Sequence, residues 1–320
     1  MESNKKLPLV SIIIPVYNGS NYMREAIDSA LAQTYENTEI IVVNDGSRDG
    51  GATEEIALSY GERIRYFKKE NGGVSSALNL GISQMRGEYF SWLSHDDRYT
   101  PDKVKVTMDM LLRFEDRRLI GLCENYQIDK DSVRLGEVRA RKKFKTGCVI
   151  GWGEVLCELL EHGSFHGCAL MIPKCVFDEC GGFNEELRYS QDWLMWLSIF
   201  LSGYSLVYTD AECVEGRVHG GQLTETGREL FHKDSITVGE LLMPELLRVS
   251  TKKENFLYGF ARNNARYDNR PVVREAIKRG REHKLISPAQ SISLHFASAY
   301  GKVRPFIRKL YYRAVKGVKI

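Results

Sequence analysis

Short apolar runs and segments with helical spacing alternate along the first part of the chain, and this alternation restricts the fold more than any other feature. The run at 9–16 is continuous and rich in β-branched residues, as expected of a strand buried on both faces. Strand–helix alternation predicts right-handed βαβ units and a mainly parallel sheet in an α/β protein. Strands are predicted at 9–16, 39–43, 64–68 and 89–93, and helices at 22–33, 50–60, 74–85 and 101–113.

A polar cluster follows each predicted strand. The clusters occupy positions 15–18, 44–47, 70–73 and 95–97. Because open α/β sheets bind ligands outside the carboxyl ends of their strands, the clusters favour a binding rim. The alternative is that Asn, Asp and Gly are ordinary turn residues. Turn chemistry does not explain the aromatic Tyr17 or the adjacent carboxylates of Asp96 and Asp97.

Asp96 and Asp97 follow the apolar run at 89–93 after only Ser94 and His95, so two like charges lie close to a buried strand. A hard divalent cation relieves this repulsion, and Mg²⁺ or Mn²⁺ is commonly held by one or two carboxylates plus substrate phosphates. The pair therefore suggests a metal–phosphate site. A solvated loop or a helix N-cap is the alternative, because the next residues also resemble a turn.

The order and spacing of these clusters carry a family resemblance. The motifs are VSIIIPVYN at 10–18, IVVNDGSRD at 41–49, NGGVSSALNLGI at 71–82, GEY at 87–89 and DD at 96–97. Over 9–103 the chain resembles the family-2 glycosyltransferases of the GT-A fold. The similarity resumes with GGFNE at 181–185, QDWLMWL at 191–197 and His219, and fades after 224.

The resemblance implies an α/β, Rossmann-like GT-A domain at 1–224, with a mainly parallel central sheet and flanking helices, followed by a helical extension at 225–320. It implies a nucleotide-diphosphate sugar as donor, most often UDP-linked. Tyr17 would lie against the base, since every base offers a π face. Asp45 would accept a hydrogen bond from the base imide. The other donor-binding residues that the resemblance implies are Pro15, Asn18, Asn71, Asp96 and His166.

The resemblance also assigns the reacting groups. Asp97, with His219, would hold Mn²⁺ or Mg²⁺, which stabilises the departing diphosphate. Asp192 would remove the proton from the acceptor hydroxyl. Transfer would be one displacement that inverts the anomeric centre. From the residues alone, Asp192 also fits a first-turn helix Asp, His166 a loop-packing residue and His219 a structural histidine after a strand.

The carboxyl-terminal segment has an uneven charge. Seven basic and no acidic residues lie between 302 and 319, interleaved with aromatic and aliphatic ones, although the net charge of the chain is only +3. A basic amphipathic pattern favours an anionic membrane surface. The alternatives are a solvated helix packed on the catalytic domain, and nucleic acid, for which nothing upstream argues. No signal peptide or bilayer-length apolar run is evident, which predicts a cytoplasmic protein, peripheral on the inner face of the membrane.

Seven cysteines without a Cys-x-x-Cys pair argue against a disulfide framework and against a thiolate zinc site. The predicted function is transfer of one sugar to a hydroxyl of a glycan or polyprenyl-linked acceptor in cell-surface polysaccharide synthesis. One alternative is a nucleotidyltransferase, but the first loop lacks the basic, glycine-rich phosphate motif that such an enzyme needs. The other is a sugar-nucleotide-binding module without catalysis, against which the joint presence of Asp45, Asp97 and Asp192 argues.

Overall fold

The structure is a computed structural model that describes residues 7–136, 144–220 and 228–316, except the side chains of 228–229 and 303–316. Contacts divide the chain into two compact units. The first comprises Met1–Val155 and Phe165–Thr226, and the second Leu156–Ser164 and Gly227–Ile320. The division lies close to the predicted boundary at 224, but the segment 156–164, predicted in the first domain, groups with the second unit.

The four predicted strand–helix repeats are present with bounds shifted by a few residues. They are β1 Val10–Val16, α1 Met23–Leu31, β2 Thr38–Asn44, α2 Ala52–Leu58, β3 Arg65–Lys68, α3 Val74–Gln84, β4 Tyr89–Trp92, β5 Arg98–Tyr99 and α4 Lys103–Leu111. The remainder of the first unit adds β6 Leu119–Ile128, β7 Val149–Ile150, the start of α5 Trp152–His162, β8 Leu170–Pro173, α6 Cys175–Cys180, α7 Gln191–Leu201 and β9 Ser205–Arg217.

In the described part of the chain the sheet has nine strands in the order β3-β2-β1-β4-β8-β6-β9-β5, and β7 pairs with β9. Strands β1 to β4 are parallel, which confirms the predicted βαβ units. The other half is mixed. Strand β8 runs antiparallel to both β4 and β6, β6 and β9 are parallel, and β5 and β7 run antiparallel to β9.

Strand β1 is buried along its whole length, as its continuous apolar run predicts. Helix α3 packs closely over it at Gly81, where an added Cβ would lie 2.4 Å from Ile13 Cγ2. The parallel register sets Val16 beside Asn44, and Asn44 beside Lys68. The carboxyl ends of β1, β2 and β3 therefore lie level with one another, and the loops that follow them share one edge of the sheet.

Glu39 at the opposite end of the sheet binds several donors at once. Its Oε1 accepts from Ser11 Oγ at 2.6 Å and from the Arg86 N–H at 2.6 Å, and its Oε2 accepts from Arg65 at 2.7 Å. Burial acts to raise the pKa of Glu39, but these hydrogen bonds outweigh burial, and the pKa falls below its ordinary value of 4.5. The ionised form is therefore the one that stabilises the fold.

Glu39→Gln should lower the free energy of unfolding at pH 7 by about 1–3 kcal/mol, because buried Ser11 and partly buried Arg65 lose a charged acceptor. The native pKa is lowered, so this stabilisation is present above about pH 4.5 and disappears as the pH falls through the native pKa. Urea unfolding at pH 7 and below pH 4 should show the gap between wild type and variant closing. Glu54→Gln, which breaks an exposed pair with Lys68, is the control. A gap that stayed constant with pH would contradict the assignment.

The second unit is helical in its described part, as predicted for the extension. Besides residues 156–164 it contains α8 Arg228–Val249, α9 Phe256–Arg266, α10 Arg270–Glu282 and α11 Pro288–Lys316. Among the described residues, every helix is too short or too polar to cross a bilayer. Of the basic residues between 302 and 319 only the side chain of Lys302 is described, and it is exposed. The predicted basic amphipathic face otherwise lies outside the described side chains.

Candidate active site

The loops after β1, β2 and β3 are joined by hydrogen bonds. Ser47 Oγ accepts from the Asn18 N–H at 2.9 Å, and Asn18 Oδ1 accepts from the Arg48 N–H at 2.7 Å. The Lys69 N–H donates to the Asn44 carbonyl at 3.0 Å. Asn18 adopts a left-handed conformation (φ 49°), which Asn tolerates better than most residues. The three loops thus form one connected edge.

The carboxylate of Asp45 organises the third loop. Its Oδ1 accepts from Lys69 Nζ and the Gly72 N–H, both at 2.9 Å. Its Oδ2 accepts from Asn71 Nδ2 at 3.1 Å and the Gly73 N–H at 2.7 Å. These four donors match the roughly four acceptor positions of a carboxylate. A base imide would have to replace one of them, so the base contact of Asp45 remains a prediction.

Two predicted donor contacts from the first loop have different surroundings. Tyr17 is 43% exposed, so its ring is available at the edge. Pro15 is buried within β1, level with Val43 of β2, which gives it a packing role in the strand. Donor contacts for both residues remain predictions.

Arg188, which lies shortly before the start of α7, contacts the loop after β3, residues 69–73. Its Nη1 donates to the Gly72 carbonyl at 2.7 Å. Gly73 has a φ of +89°, and an added Cβ there would lie 2.2 Å from Arg188 Nη1, so the guanidinium lies directly against this loop. The segment that carries Asp192 is therefore held beside the carboxyl ends of β2 and β3.

Asp97 lies in a buried position between β4 and β5. Its Oδ1 accepts from the Arg217 N–H at 2.9 Å. Its Oδ2 accepts from Cys168 Sγ at 3.3 Å and lies 3.7 Å from His166 Nε2. Burial raises the pKa of Asp97 above its ordinary 3.8, His166 lowers it, and neighbouring Asp96 raises it again. A positive charge close to Asp97 therefore stabilises its ionised carboxylate.

Asp96 pairs with the second histidine of the site. Its Oδ2 lies 3.1 Å from His219 Nε2, and the ring of His219 contacts that of Tyr22 with centroids 5.3 Å apart. Burial also lowers the pKa of His95, the residue immediately before Asp96. His219, predicted beside Asp97 as a metal ligand, therefore contacts the adjacent carboxylate, and its metal role remains a prediction.

The donor set around Asp97 fits a divalent cation, which the family resemblance implies. Within the described residues, a carboxylate oxygen of Asp97, a ring nitrogen of His166 and Cys168 Sγ all lie within 4.8 Å of one another. His166 Nδ1 is buried and makes no hydrogen bond within that part of the chain. A cation here would offset the charge of a carboxylate that burial destabilises.

The side chain of Arg217 fixes the loop that carries both aspartates. Its Nε donates to the Asp96 carbonyl at 2.8 Å, and its Nη2 pairs with Glu25 of α1 at 2.8 Å. Its Nη1 donates to the Asp129 carbonyl at 3.1 Å and to Ser132 Oγ at 2.9 Å. The guanidinium is buried and therefore exchanges its hydration for these contacts.

Asp192 lies in the first turn of α7, and its Oδ1 accepts from the Trp193 N–H at 2.7 Å. Trp196, one turn later on the same face, packs edge-on against Phe183. Phe183 in turn packs edge-on against Trp92, the last residue of β4, with centroids 5.9 Å apart. These ring contacts connect Trp196, one turn after Asp192, to the carboxyl end of β4, after which Asp97 follows.

Three residues of the site escape sequence reasoning. Cys168 and Arg217 contact Asp97 or its loop from distant segments, and Arg188 contacts the loop at 69–73. Cys168 follows His166 by two residues, and this short spacing between two polar side chains is the one sequence signal that could have pointed to Cys168. Arg217 and Arg188 look like ordinary surface arginines in sequence, and only the tertiary fold shows their partners.

The glycosyl transferase family 2 model matches residues 11–159. An uncharacterized glycosyltransferase of Rickettsia typhi is 44% identical over 265 residues, which are 82% of this chain and 81% of that protein. The chain belongs to glycosyltransferase family 2. The predicted family is confirmed, and this family-2 chain is a glycosyltransferase. Membership excludes the nucleotidyltransferase alternative.

Other known proteins are similar to part or most of the chain. Chondroitin synthase of Pasteurella multocida is 42% identical over 67% of this glycosyltransferase, which spans only 21% of that protein. Residues 1–349 of S. aureus TarS, solved with UDP-GlcNAc, match with a TM-score of 0.69 at 18% identity, over 94% of this chain and 92% of that chain. The likeness confirms the predicted GT-A fold.

Proposed function

We propose that this glycosyltransferase transfers one sugar from a UDP-sugar to a hydroxyl of a glycan or polyprenyl-linked acceptor, with inversion at the anomeric carbon. The observation that carries the proposal is the contact of Arg188 with Gly72, because it brings the Asp192 segment onto the loop at 69–73, which would receive the nucleotide. The TarS complex with UDP-GlcNAc and the name of chondroitin synthase support a uridine donor and a hexosyl or hexosaminyl group.

Donor binding would use the exposed edge. Tyr17 would stack on the base, and Asn18, Asn71 and Asp96 would contact the ribose and diphosphate. His166 would contact the donor sugar, and its Nε2 lies 3.7 Å from Asp97 Oδ2. A divalent cation, Mn²⁺ or Mg²⁺, held by Asp97 supplies positive charge that stabilises the diphosphate leaving group when it is bound. Asp45 orders the loop that receives the phosphates.

The acceptor reacts at the other end of the donor. Asp192 accepts the proton of the acceptor hydroxyl. At the same time the hydroxyl oxygen bonds to the anomeric carbon of the donor sugar, and the bond between that carbon and the diphosphate breaks. One displacement needs one base and no second nucleophilic carboxylate, so an α-linked donor gives a β-glycoside. A general base must be reached by the acceptor, and the partly exposed side chain of Asp192 in the first turn of α7 is consistent with this role.

A surface polysaccharide is the proposed product, and the basic segment at 302–319 is the proposed contact with an anionic membrane on its cytoplasmic face. Seven basic side chains without an acidic one support this, since each contributes about 1 kcal/mol near an anionic surface. The same location would present the enzyme to a polyprenyl-linked acceptor.

A donor panel tests the proposal. The full chain is incubated with UDP-glucose, UDP-GlcNAc, UDP-galactose, GDP-mannose and dTDP-rhamnose, with hexosamine oligosaccharides or polyprenyl-diphosphate sugars as acceptors. Nucleotide release and product mass are followed with Mn²⁺ and with chelator. We expect release from a uridine donor, a product heavier by one sugar, and loss of both with chelator. A preference for GDP- or dTDP-sugars would refute the uridine assignment, and donor binding without release would favour a binding module.

A further inference from the structure

The second unit contains a cavity of about 300 Å³ that the proposed function does not use. All of the residues that line it belong to this unit. Small-molecule pockets have volumes of roughly 300–1,000 Å³, so the cavity is large enough for a small ligand. The lining residues come from the last turn of α5, the end of α9 and the middle of α11, and they are Glu161, His162, Asn263, Arg266, Tyr267 and Tyr300.

Side chains of α9 bind the last carbonyls of α5 and so fix two walls of the cavity. Asn263 is buried, and its Nδ2 donates to the Leu160 carbonyl at 3.0 Å. Arg266 Nη1 donates to the Glu161 carbonyl. Carbonyls in the last turn of a helix have no partner within that helix, so these side chains supply the hydrogen bonds that water would otherwise make.

Helix α11 forms the third wall, because it packs closely against α9. A Cβ added at Gly301 would lie 2.4 Å from the Ala265 carbonyl oxygen, so the two backbones are in contact there. Tyr300, the residue before this glycine, reaches the cavity from α11. Tyr267 packs against Phe231 of α8, with ring centroids 5.0 Å apart. The contacts between helices therefore hold both tyrosines at the cavity.

The lining side chains carry both signs of charge. Glu161 has a carboxylate and Arg266 a guanidinium, and His162 Nε2 lies 3.8 Å from Glu161 Oε2. Among the described residues Arg266 binds the Glu161 carbonyl alone, so its other N–H groups are available to a ligand. A phosphate or a cation would meet one like charge here. An uncharged ligand with several hydroxyls would find both donors and acceptors.

The two tyrosine rings give the cavity an apolar and partly open side. Tyr267 is 44% exposed and Tyr300 is 56% exposed. A tyrosine ring combines an apolar face with a hydroxyl that can hydrogen-bond. A saccharide has the complementary character, because its ring presents C–H groups on its faces and hydroxyls at its edge. Aromatic rings beside a carboxylate, a guanidinium and an amide therefore suit a sugar better than a purely apolar ligand.

We propose that this cavity is a non-catalytic binding site for an uncharged saccharide. The rings of Tyr267 and Tyr300 pack against a face of the sugar, Arg266 donates to sugar oxygens, and Glu161 accepts from sugar hydroxyls. No covalent bond forms or breaks at the site. The inference goes beyond the proposed function, because it requires neither a nucleotide donor nor Asp192.

Calorimetric titration of the full chain with neutral tetrasaccharides tests the proposal. N-acetylchitotetraose, cellotetraose and maltotetraose are each added without nucleotide and again with excess UDP. We expect saturable binding of at least one of them that UDP does not abolish. Tyr300→Ala and Arg266→Ala should each weaken this binding by about fivefold or more, the loss typical of aromatic and arginine residues that anchor a ligand.

Matched variants separate the cavity from general effects. Phe296→Ala removes a more exposed ring one turn before Tyr300, and Arg262→Ala removes an exposed arginine one turn before Arg266. Both should leave saccharide binding unchanged, and the folding of every variant is checked by circular dichroism.

Three results would overturn the proposal: no saturable binding of any of the three tetrasaccharides, binding that survives both cavity substitutions, or an equal loss in the control variants. UDP release in the donor panel does not use these residues. Tetrasaccharide binding by a protein that releases no nucleotide would therefore count against the proposed function and leave the cavity site standing.

Discussion

Replacement of Asp192 by Asn should lower the rate of sugar transfer by about 10²–10⁴-fold while leaving donor binding unchanged. Asn has the shape of Asp, and its Oδ1 can still accept from the Trp193 N–H, which Asp192 binds at 2.7 Å. It cannot take the acceptor proton. Steady-state transfer and equilibrium binding of the UDP-sugar, measured on the same preparation, separate the two effects.

The control for Asp192→Asn is Asp178→Asn, which removes a first-turn carboxylate from α6 and so makes the same change in charge at a helix start. A purely structural Asp192 would produce a similar loss of stability in both variants, since first-turn acids contribute about 0.3–1 kcal/mol through the helix dipole. Equal transfer rates for Asp192→Asn and wild type would refute the base assignment.

Replacement of Arg217 by Met should lower the free energy of unfolding by about 3–5 kcal/mol, the range for breaking a buried charged network. Met fills part of the volume but donates no hydrogen bond, so the Asp96 and Asp129 carbonyls lose their partner. Transfer should fall as well, because the loop that positions Asp97 loses its support. Urea unfolding measures the first effect and the donor assay the second.

Arg134→Met is the matched control for Arg217→Met. Arg134 pairs with Glu212 and lies over the ring of Tyr126, but its side chain is 47% exposed, so its loss should cost about 1 kcal/mol or less. If both variants lost the same stability, the buried contacts of Arg217 would not be the dominant cause.

The strands β1 to β4 could be predicted because their signals are local. Strands β1 and β2 contain apolar runs, β3 and β4 contain aromatic residues, and each strand is followed by polar residues that parallel pairing brings to one edge. The other half of the sheet carries weaker signals. β5 and β7 have two residues each, too few for a periodicity, and their partner β9 lies far along the chain.

The candidate site likewise contains residues with a local sequence signal and residues whose partners only the tertiary fold shows. Asp96 and Asp97 could be singled out because adjacent carboxylates after a buried strand are unusual. The base contact predicted for Asp45 remains a prediction, and the backbone donors that Asp45 binds could not be predicted, because they depend on how the loop at 69–73 folds back. The cysteine spacing argued against a disulfide framework and a thiolate zinc site, and it contained no information on the contact between Cys168 and a carboxylate 71 positions away.

The position of Arg217 also affects how the protein is made. The guanidinium that secures Asp96 belongs to the last residue of β9. A ribosome synthesises the aspartate motif more than a hundred residues before that arginine emerges. A nascent or truncated chain that ends before β9 therefore contains the whole motif without Arg217, and the hydrogen bond to the Asp96 carbonyl forms only after β9 has been synthesised.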